Sequence, residues 1–496
     1  MGRAFTRSAA LIGVTGHILD IEADAGAGPP ELHLIGLPER SVWPARDRIR
    51  AAILNSGIAW PDARVTLSVC PDAMPVYDSA ADLALAVAFL AATGHVPPER
   101  LAGTVFLGEL GLNGGIRPVR GVLLAIRAAA AARLNTVVVP AFFTEITAQV
   151  PDAAVIPAAR LSDVIAWLRD GTTHGDAVEA EPVVVTPPAV DLADVPGNRT
   201  ARRALEVCAA GGHHLLLRGE GPGTMLAERL PGLLPLLDGT AAQEVADIYS
   251  LAGRHDRMPG SMPPLCAPHH TSTPAAIFGS VAANRPGAVS LAHRGVLHLA
   301  DAPEFPGVIL DGLCRPMDSG EILLAGMGRS VRYPARFLLV VDASDCPCAD
   351  RRSCSCSPGV RRRYLGRLTA LMPRIEVRAR TEPIARPAQP GESTLVVAAR
   401  VREARERAAA RLAGTPWRTN AEIPALELRT RFPSEPEAVE LLRSAVHTGV
   451  LTDAALPRLL RVAWTIADLR GVDRPAEHDA AGALDLWKGA INGEGR

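Results

Sequence analysis

Two short stretches of this chain carry residues whose types and spacing point to chemistry. In the first, the apolar run Leu215-Leu216-Leu217 passes through Arg218 into Gly219-Glu220-Gly221-Pro222-Gly223-Thr224, and helix-forming residues follow. Glycines between a strand and a helix let backbone N–H groups close on an anion, the layout of a phosphate-binding loop. Such a loop reads G-x-x-x-x-G-K-[ST], with the lysine on the β- and γ-phosphates and the hydroxyl on Mg2+. This turn is shorter and has no lysine; the chain's only lysine is Lys488. Gly219, Gly221, Gly223 and Thr224 remain as the nucleotide-binding candidates, able to offer an anion their backbone N–H groups. An ordinary strand-to-helix turn has the same composition.

The second stretch holds Cys346-Pro347-Cys348 and Cys354-Ser355-Cys356, four thiols within eleven residues. Four thiolates can close a tetrahedral zinc site, and eight cysteines in 496 residues are too few for a disulfide scaffold. The spacing departs from the common C-x2–4-C pattern, so reduced loop cysteines are the competing reading. Around them stand Arg351, Arg352, Arg361, Arg362, Arg363, Tyr364 and Arg367. Arginines beside a tyrosine can neutralise phosphates and stack on bases, which makes this the nucleic-acid candidate; a solvated face is the alternative. His269-His270 lacks a third ligand at helical spacing. Ser79 lacks the lysine that a Ser–Lys protease needs, so that chemistry is excluded.

These residues need elements to position them. At roughly 150 residues per domain, the length suggests about three domains. Hydrophobic content of 48% with only 4% aromatics implies cores of Ala, Leu and Val. A net charge of −1 leaves nucleic acid to a local patch. The N-terminus has no apolar signal core and no uncharged apolar run of about 18 residues appears, so a cytoplasmic chain without a membrane partner is expected. Gly2 and Thr6 meet a bare myristoylation pattern with no second anchor. Over 1–170, strands expected at 31–36, 64–69, 104–110 and 136–140 alternate with helices at 41–56, 80–92 and 119–132, an α/β domain. Residues 171–190 have linker composition, and 191–382 form a second α/β unit containing the glycine-rich loop. Pro383–Ser393 reads as a hinge, and 395–496 as helical, with helices at 395–412, 436–448 and 454–470.

In order and spacing, a series of stretches resembles the magnesium-chelatase-like AAA+ family of the ComM/YifB type. They include Gly36-Leu37-Pro38-Glu39, Ala45–Gly57, Gly115–Gly121, Asp194-Val195-Pro196-Gly197, Pro268–Thr271, Arg285–Leu297, Tyr333–Phe337, Cys346-Pro347-Cys348 and Leu459–Leu469. The resemblance implies an α/β multidomain fold: an N-terminal ribosomal-S5-domain-2/Lon-protease-like domain, a P-loop AAA+ core and a C-terminal helical lid. It implies ATP and Mg2+ as cofactors, a homo- or hetero-hexameric ring, and a motor that remodels branched DNA during recombination, as in natural transformation.

Carried over residue by residue, the family's hydrolytic machinery is incomplete. Its acidic motif is an apolar strand ending in Asp-Glu, but here Val296-Leu297-His298-Leu299 runs into Ala300-Asp301. Ala300 stands at the metal aspartate's place and Asp301 at the catalytic glutamate's, one methylene short, where rate is sensitive to shifts of about 1 Å. Ser344 replaces a polar sensor Asn. Arg374 matches a phosphate-stabilising arginine, with Pro373 in place of the Asp before it. Thr452-Asp453-Ala454 stands for Ser-Ala-Arg and loses the lid's sensor arginine. Asp301 and Arg374 are thus the catalytic candidates, with hydrolysis expected to be weak or lost. The alternative is a non-hydrolysing structural or regulatory ring subunit, or a DNA-binding partner of an active paralogue. Nothing in these residues forms a porphyrin site.

Overall fold

A computed structural model describes residues 2–70, 79–143, 153–172, 190–255, 259–326, 328–348, 354–384 and 390–489. Most of the expected linker, part of the hinge, Tyr77, Arg351 and Arg352 lie outside the described residues.

The chain opens with a long antiparallel hairpin, β1 (Arg3–Ile12) and β2 (Thr15–Gly26), which the sequence reading did not identify. Every second residue of β2 from Leu19 to Ala25 is buried, the period of a half-covered strand. With β3 (Leu32–Ile35), β4 (Arg64–Cys70), β5 (Thr104–Phe106), β6 (Thr136–Pro140) and β7 (Ala154–Ala158) they make a seven-stranded sheet. Its order is β3-β4-β2-β1-β5-β6-β7. Helices α1 (Glu39–Asn55), α2 (Asp82–Ala92), α3 (Val122–Ala131) and α4 (Leu161–Asp170) connect and cover it. All eleven residues of α2 are buried, as an all-round apolar helix requires. Its one charge, Asp82, is fully buried and held by Arg48 Nε at 2.6 Å.

The second unit begins with α5 (Arg199–Gly211), β8 (Leu215–Gly219), α6 (Gly223–Arg229) and α7 (Gly239–Ala252). It continues with β9 (Leu265–Cys266), β10 (Val296–Leu299), α8 (Gly307–Ser319), β11 (Leu338–Ala343), α9 (Pro358–Gly366) and β12 (Val377–Thr381). The five strands pair in parallel in the order β9-β10-β11-β8-β12. Parallel strands covered on both faces read as continuous apolar runs, as in Leu215–Leu217 and Leu338–Val341. In such a sheet ligands bind outside the carboxyl ends of the strands, which is where the glycine-rich turn sits. An α/β multidomain fold of this kind is consistent with a P-loop-type AAA+ protein.

Among the described residues, four longer helices close the chain, with a single-turn helix Glu427–Thr430 between the first two: α10 (Thr394–Arg411), α11 (Pro436–His447), α12 (Leu456–Arg470) and α13 (Glu477–Lys488), the last not anticipated from sequence. Their apolar faces and those of α5 and β8 form one continuous core. Arg411 donates to both carboxylate oxygens of Asp468, at 2.6 and 2.7 Å, and the Asn420 amide donates to Asp468 and Thr465. Thr465 in turn meets His213 Nε2 at 2.8 Å. Burial pushes the His213 pKa down to about 3, so it bridges the two units uncharged.

Candidate functional site

The glycine-rich turn lies directly on the end of β12. Gly219 has φ +133, and a Cβ there would sit 2.3 Å from the Thr381 carbonyl oxygen. At Gly221 a Cβ would come within 2.5 Å of both the Glu382 N and O. Only glycine lets the backbones approach so closely. Two of the turn's donors are engaged by the protein itself. Gly221 N–H donates to Thr381 Oγ1 at 3.2 Å and Gly223 N–H to the Gly221 carbonyl at 2.9 Å. The turn packs inward against a strand.

Asp342, near the end of β11, is the hub of the site. The β10–β11 register pairs Leu299 with Val341. Extended by one residue, it sets Ala300, which lacks the metal-site carboxylate, level with Asp342, and adjacent strands in register present such residues on one face. The acidic group is therefore present one strand over. Its Oδ2 accepts the Thr224 hydroxyl at 3.2 Å and His298 Nε2–H at 2.9 Å, and its Oδ1 accepts the Asp301 N–H at 2.8 Å. Burial alone would push this carboxyl up. The hydrogen bonds from His298, Asp301 and Thr224 outweigh burial and hold it below its ordinary 3.8. Asp301 thus joins the site through its backbone, at φ +47, a left-handed conformation that aspartate tolerates better than most residues.

A second carboxylate, Asp345, ties the strand ends together. It accepts Arg218 Nε at 2.6 Å and Arg380 Nη2 at 2.9 Å, so β8, β11 and β12 share one ion-paired edge. Burial again opposes ionisation, but Arg218 and then Arg380 keep Asp345 below the usual range. Ser344 is buried between these two aspartates in sequence.

Arg374 is not brought to the turn. It ends the short turn Met372–Arg374 before β12, whereas Gly219 pairs with Thr381 at the far end of that strand. There Arg374 Nε contacts both oxygens of Asp318 at 2.9 and 3.0 Å. Within one chain Arg374 and Thr224 lie at opposite ends of the paired strands β12 and β8, so a role at a phosphate would require a neighbouring subunit.

Beyond Asp345 the chain enters the cysteine cluster. The sulfurs of Cys346, Cys348, Cys354 and Cys356 all lie within 4.8 Å of one another. Cys346 Sγ is 2.8 Å from Cys348 Sγ and 3.1 Å from Cys354 Sγ. Helix α9 follows, capped by the Ser357 hydroxyl accepting Val360 N–H. Its arginines Arg361, Arg362 and Arg363 are all exposed, and Arg361 Nη2 reaches back to Cys354 Sγ at 3.5 Å. Tyr364 is buried, so its ring does not offer the open face that base stacking needs. The rings of His269 and His270 lie tilted against each other with centroids 4.1 Å apart, and no metal-ligand set among the described residues includes them.

Sequence reasoning missed Asp342, His298 and Asp345. The available signal was a polar residue at the carboxyl end of an apolar strand, where α/β sheets place ligands. Ser79 donates to Glu109 in the first domain.

Family models match this chain in three consecutive blocks. "Subunit ChlI of Mg-chelatase" covers residues 21–142, "Magnesium chelatase, subunit ChlI" 191–388 and "Magnesium chelatase, subunit ChlI C-terminal" 391–486. An uncharacterized protein of Mycobacterium tuberculosis is 45% identical, the match covering 98% of each chain. The uncharacterized protein YifB of Escherichia coli is 35% identical over 95% of this chain and 94% of its own. Competence protein ComM of Haemophilus influenzae is 32% identical over 98% and 97%. No helix among the described residues is long and apolar enough to cross a membrane.

Proposed function

The chain belongs to the magnesium chelatase ChlI family, with full-length relatives in YifB and ComM, and from that premise we propose that it is a ring-type AAA+ subunit of DNA remodelling whose nucleotide site hydrolyses ATP poorly or not at all. The observation that carries this reading is the inward-packed turn. The Gly221 and Gly223 N–H groups, two of the donors that would cradle phosphates, are taken by Thr381 and Gly221, and the turn carries no lysine to supplement the rest. The Thr224 hydroxyl, which belongs on Mg2+ in a working loop, is held by Asp342. If Mg2+ bound here, Thr224 and Asp342 would be its protein ligands and the metal would neutralise phosphate charge. The residues fit that group better than they fit the phosphates, for which two of the turn's N–H groups are already engaged and the turn has no lysine.

The DNA-facing part of the proposal rests on Arg362 and Arg363 in α9 and on the relative named a competence protein. The test is equilibrium binding of a fluorescent ATP analogue with Mg2+, followed by phosphate release with and without branched DNA. Saturation no tighter than about millimolar is expected, with no DNA-stimulated release. Binding near micromolar requires about 4 kcal/mol more than that. Together with stimulated turnover it would overturn the proposal.

A further inference from the structure

We propose that Cys346, Cys348, Cys354 and Cys356 bind one structural zinc ion, which fastens helix α9 to the end of β11. The inference is independent of whether the nucleotide site works. Tetrahedral zinc with Zn–S bonds of about 2.3 Å sets its sulfurs about 3.8 Å apart. The four sulfurs here lie between 2.8 Å and 4.8 Å of each other, so shifts of about an ångström centre them on one ion. All four are free thiols rather than disulfides. They come from both sides of the connection: Cys346 directly follows the Asp345 ion pairs, and Cys356 directly precedes the Ser357 cap of α9.

Each thiol loses its proton to solvent on binding, so zinc with four thiolates carries a formal charge of −2. An anionic centre needs a donor outside its ligands, and Arg361 supplies one at Cys354 Sγ. Arg361 is exposed like Arg362 and Arg363, and its guanidinium reaches a cluster sulfur. With four protein ligands no coordination position is left for substrate, so the ion holds structure and does no catalysis.

The experiment uses the full chain purified without chelator. Elemental analysis is expected to find one zinc per chain, and replacement by Co2+ should give the intense visible absorption of tetrahedral thiolate coordination. Four of the eight thiols should resist a maleimide until zinc is removed. Cys354→Ser with Cys356→Ser should lose the metal, while Cys70→Ser, outside the cluster, should retain it. Amide exchange over residues 357–366 should accelerate at least tenfold when wild-type chain is stripped of zinc. A reduced wild-type chain that retains no zinc after incubation with the metal would overturn the site. So would Co2+ bound equally by the double variant. Unchanged exchange on stripping would overturn the fastening role.

Discussion

Asp342 shows how one substitution alters what its neighbours do. Its carboxylate satisfies a hydroxyl, an imidazole and a backbone amide that converge at one point of the sheet edge. Asp342→Asn removes the charge while keeping the volume, and is expected to cost about 1–3 kcal/mol at neutral pH. Because the folded pKa lies below 3.8, the charge contributes its stability above that value and loses it as pH falls through the folded pKa. The gap between wild type and variant, measured by denaturant unfolding, should therefore shrink as pH is lowered from about 5 to about 2. A gap that stays constant would mean the carboxylate is not the ionised hub described here. His298 belongs to the same argument: a histidine inside Val296–Leu299 has no apolar reason to be there, and its reason is Asp342.

At the scale of elements, most of the architecture was readable and its exceptions have physical causes. The helices expected at 395–412 and 436–448 span Thr394–Arg411 and Pro436–His447, because their apolar periodicity and caps agree. The β1–β2 hairpin escaped notice because Gly13-Val14 is not a strong turn dipeptide, although Gly13 does adopt φ +60. Asp342 escaped because comparison along one strand cannot show which side chain stands beside it on the next; only the Leu299–Val341 register sets Asp342 level with Ala300. Helix α9 was half readable: the basic run is present, but burial withdraws Tyr364 and the thiols claim Arg361. That division yields a prediction. Arg362→Ala with Arg363→Ala should weaken binding to branched and linear DNA alike and reduce the slope of log K against log salt by about 2. Tyr364→Ala should leave that slope unchanged. Equal slopes for wild type and the arginine pair variant would remove α9 from the nucleic-acid surface.

For the whole molecule, the question is what makes the first sheet and the parallel core one body. Leu124 of α3, Leu251 of α7 and Val331 and Tyr333 of the hairpin 321–334 form a shared buried cluster. Arg127 of α3 pairs with Asp247 of α7 beside it. Asn284 closes the seam. Its Oδ1 accepts Gly13 N–H at 2.8 Å and the Tyr333 hydroxyl at 3.2 Å, and its Nδ2 donates to the Leu11 carbonyl at 2.9 Å. It does so at φ +43, where asparagine is among the few tolerated side chains. Asn284→Ala leaves these partners unsatisfied and adds backbone strain, so a loss of about 3 kcal/mol is expected. Because the loss falls on the seam rather than in either core, the thermal transition should split, with cleavage between the two units preceding loss of the core. Asn284→Gly relieves the strain but restores no hydrogen bond, so it should fall between wild type and alanine. If glycine matched wild type, the seam would depend on backbone conformation alone. If alanine kept a single transition with unchanged proteolysis, the apolar cluster would suffice to join the units. The distinction matters for any coupled motion, because a rigid seam transmits motion of the parallel core directly to the first sheet.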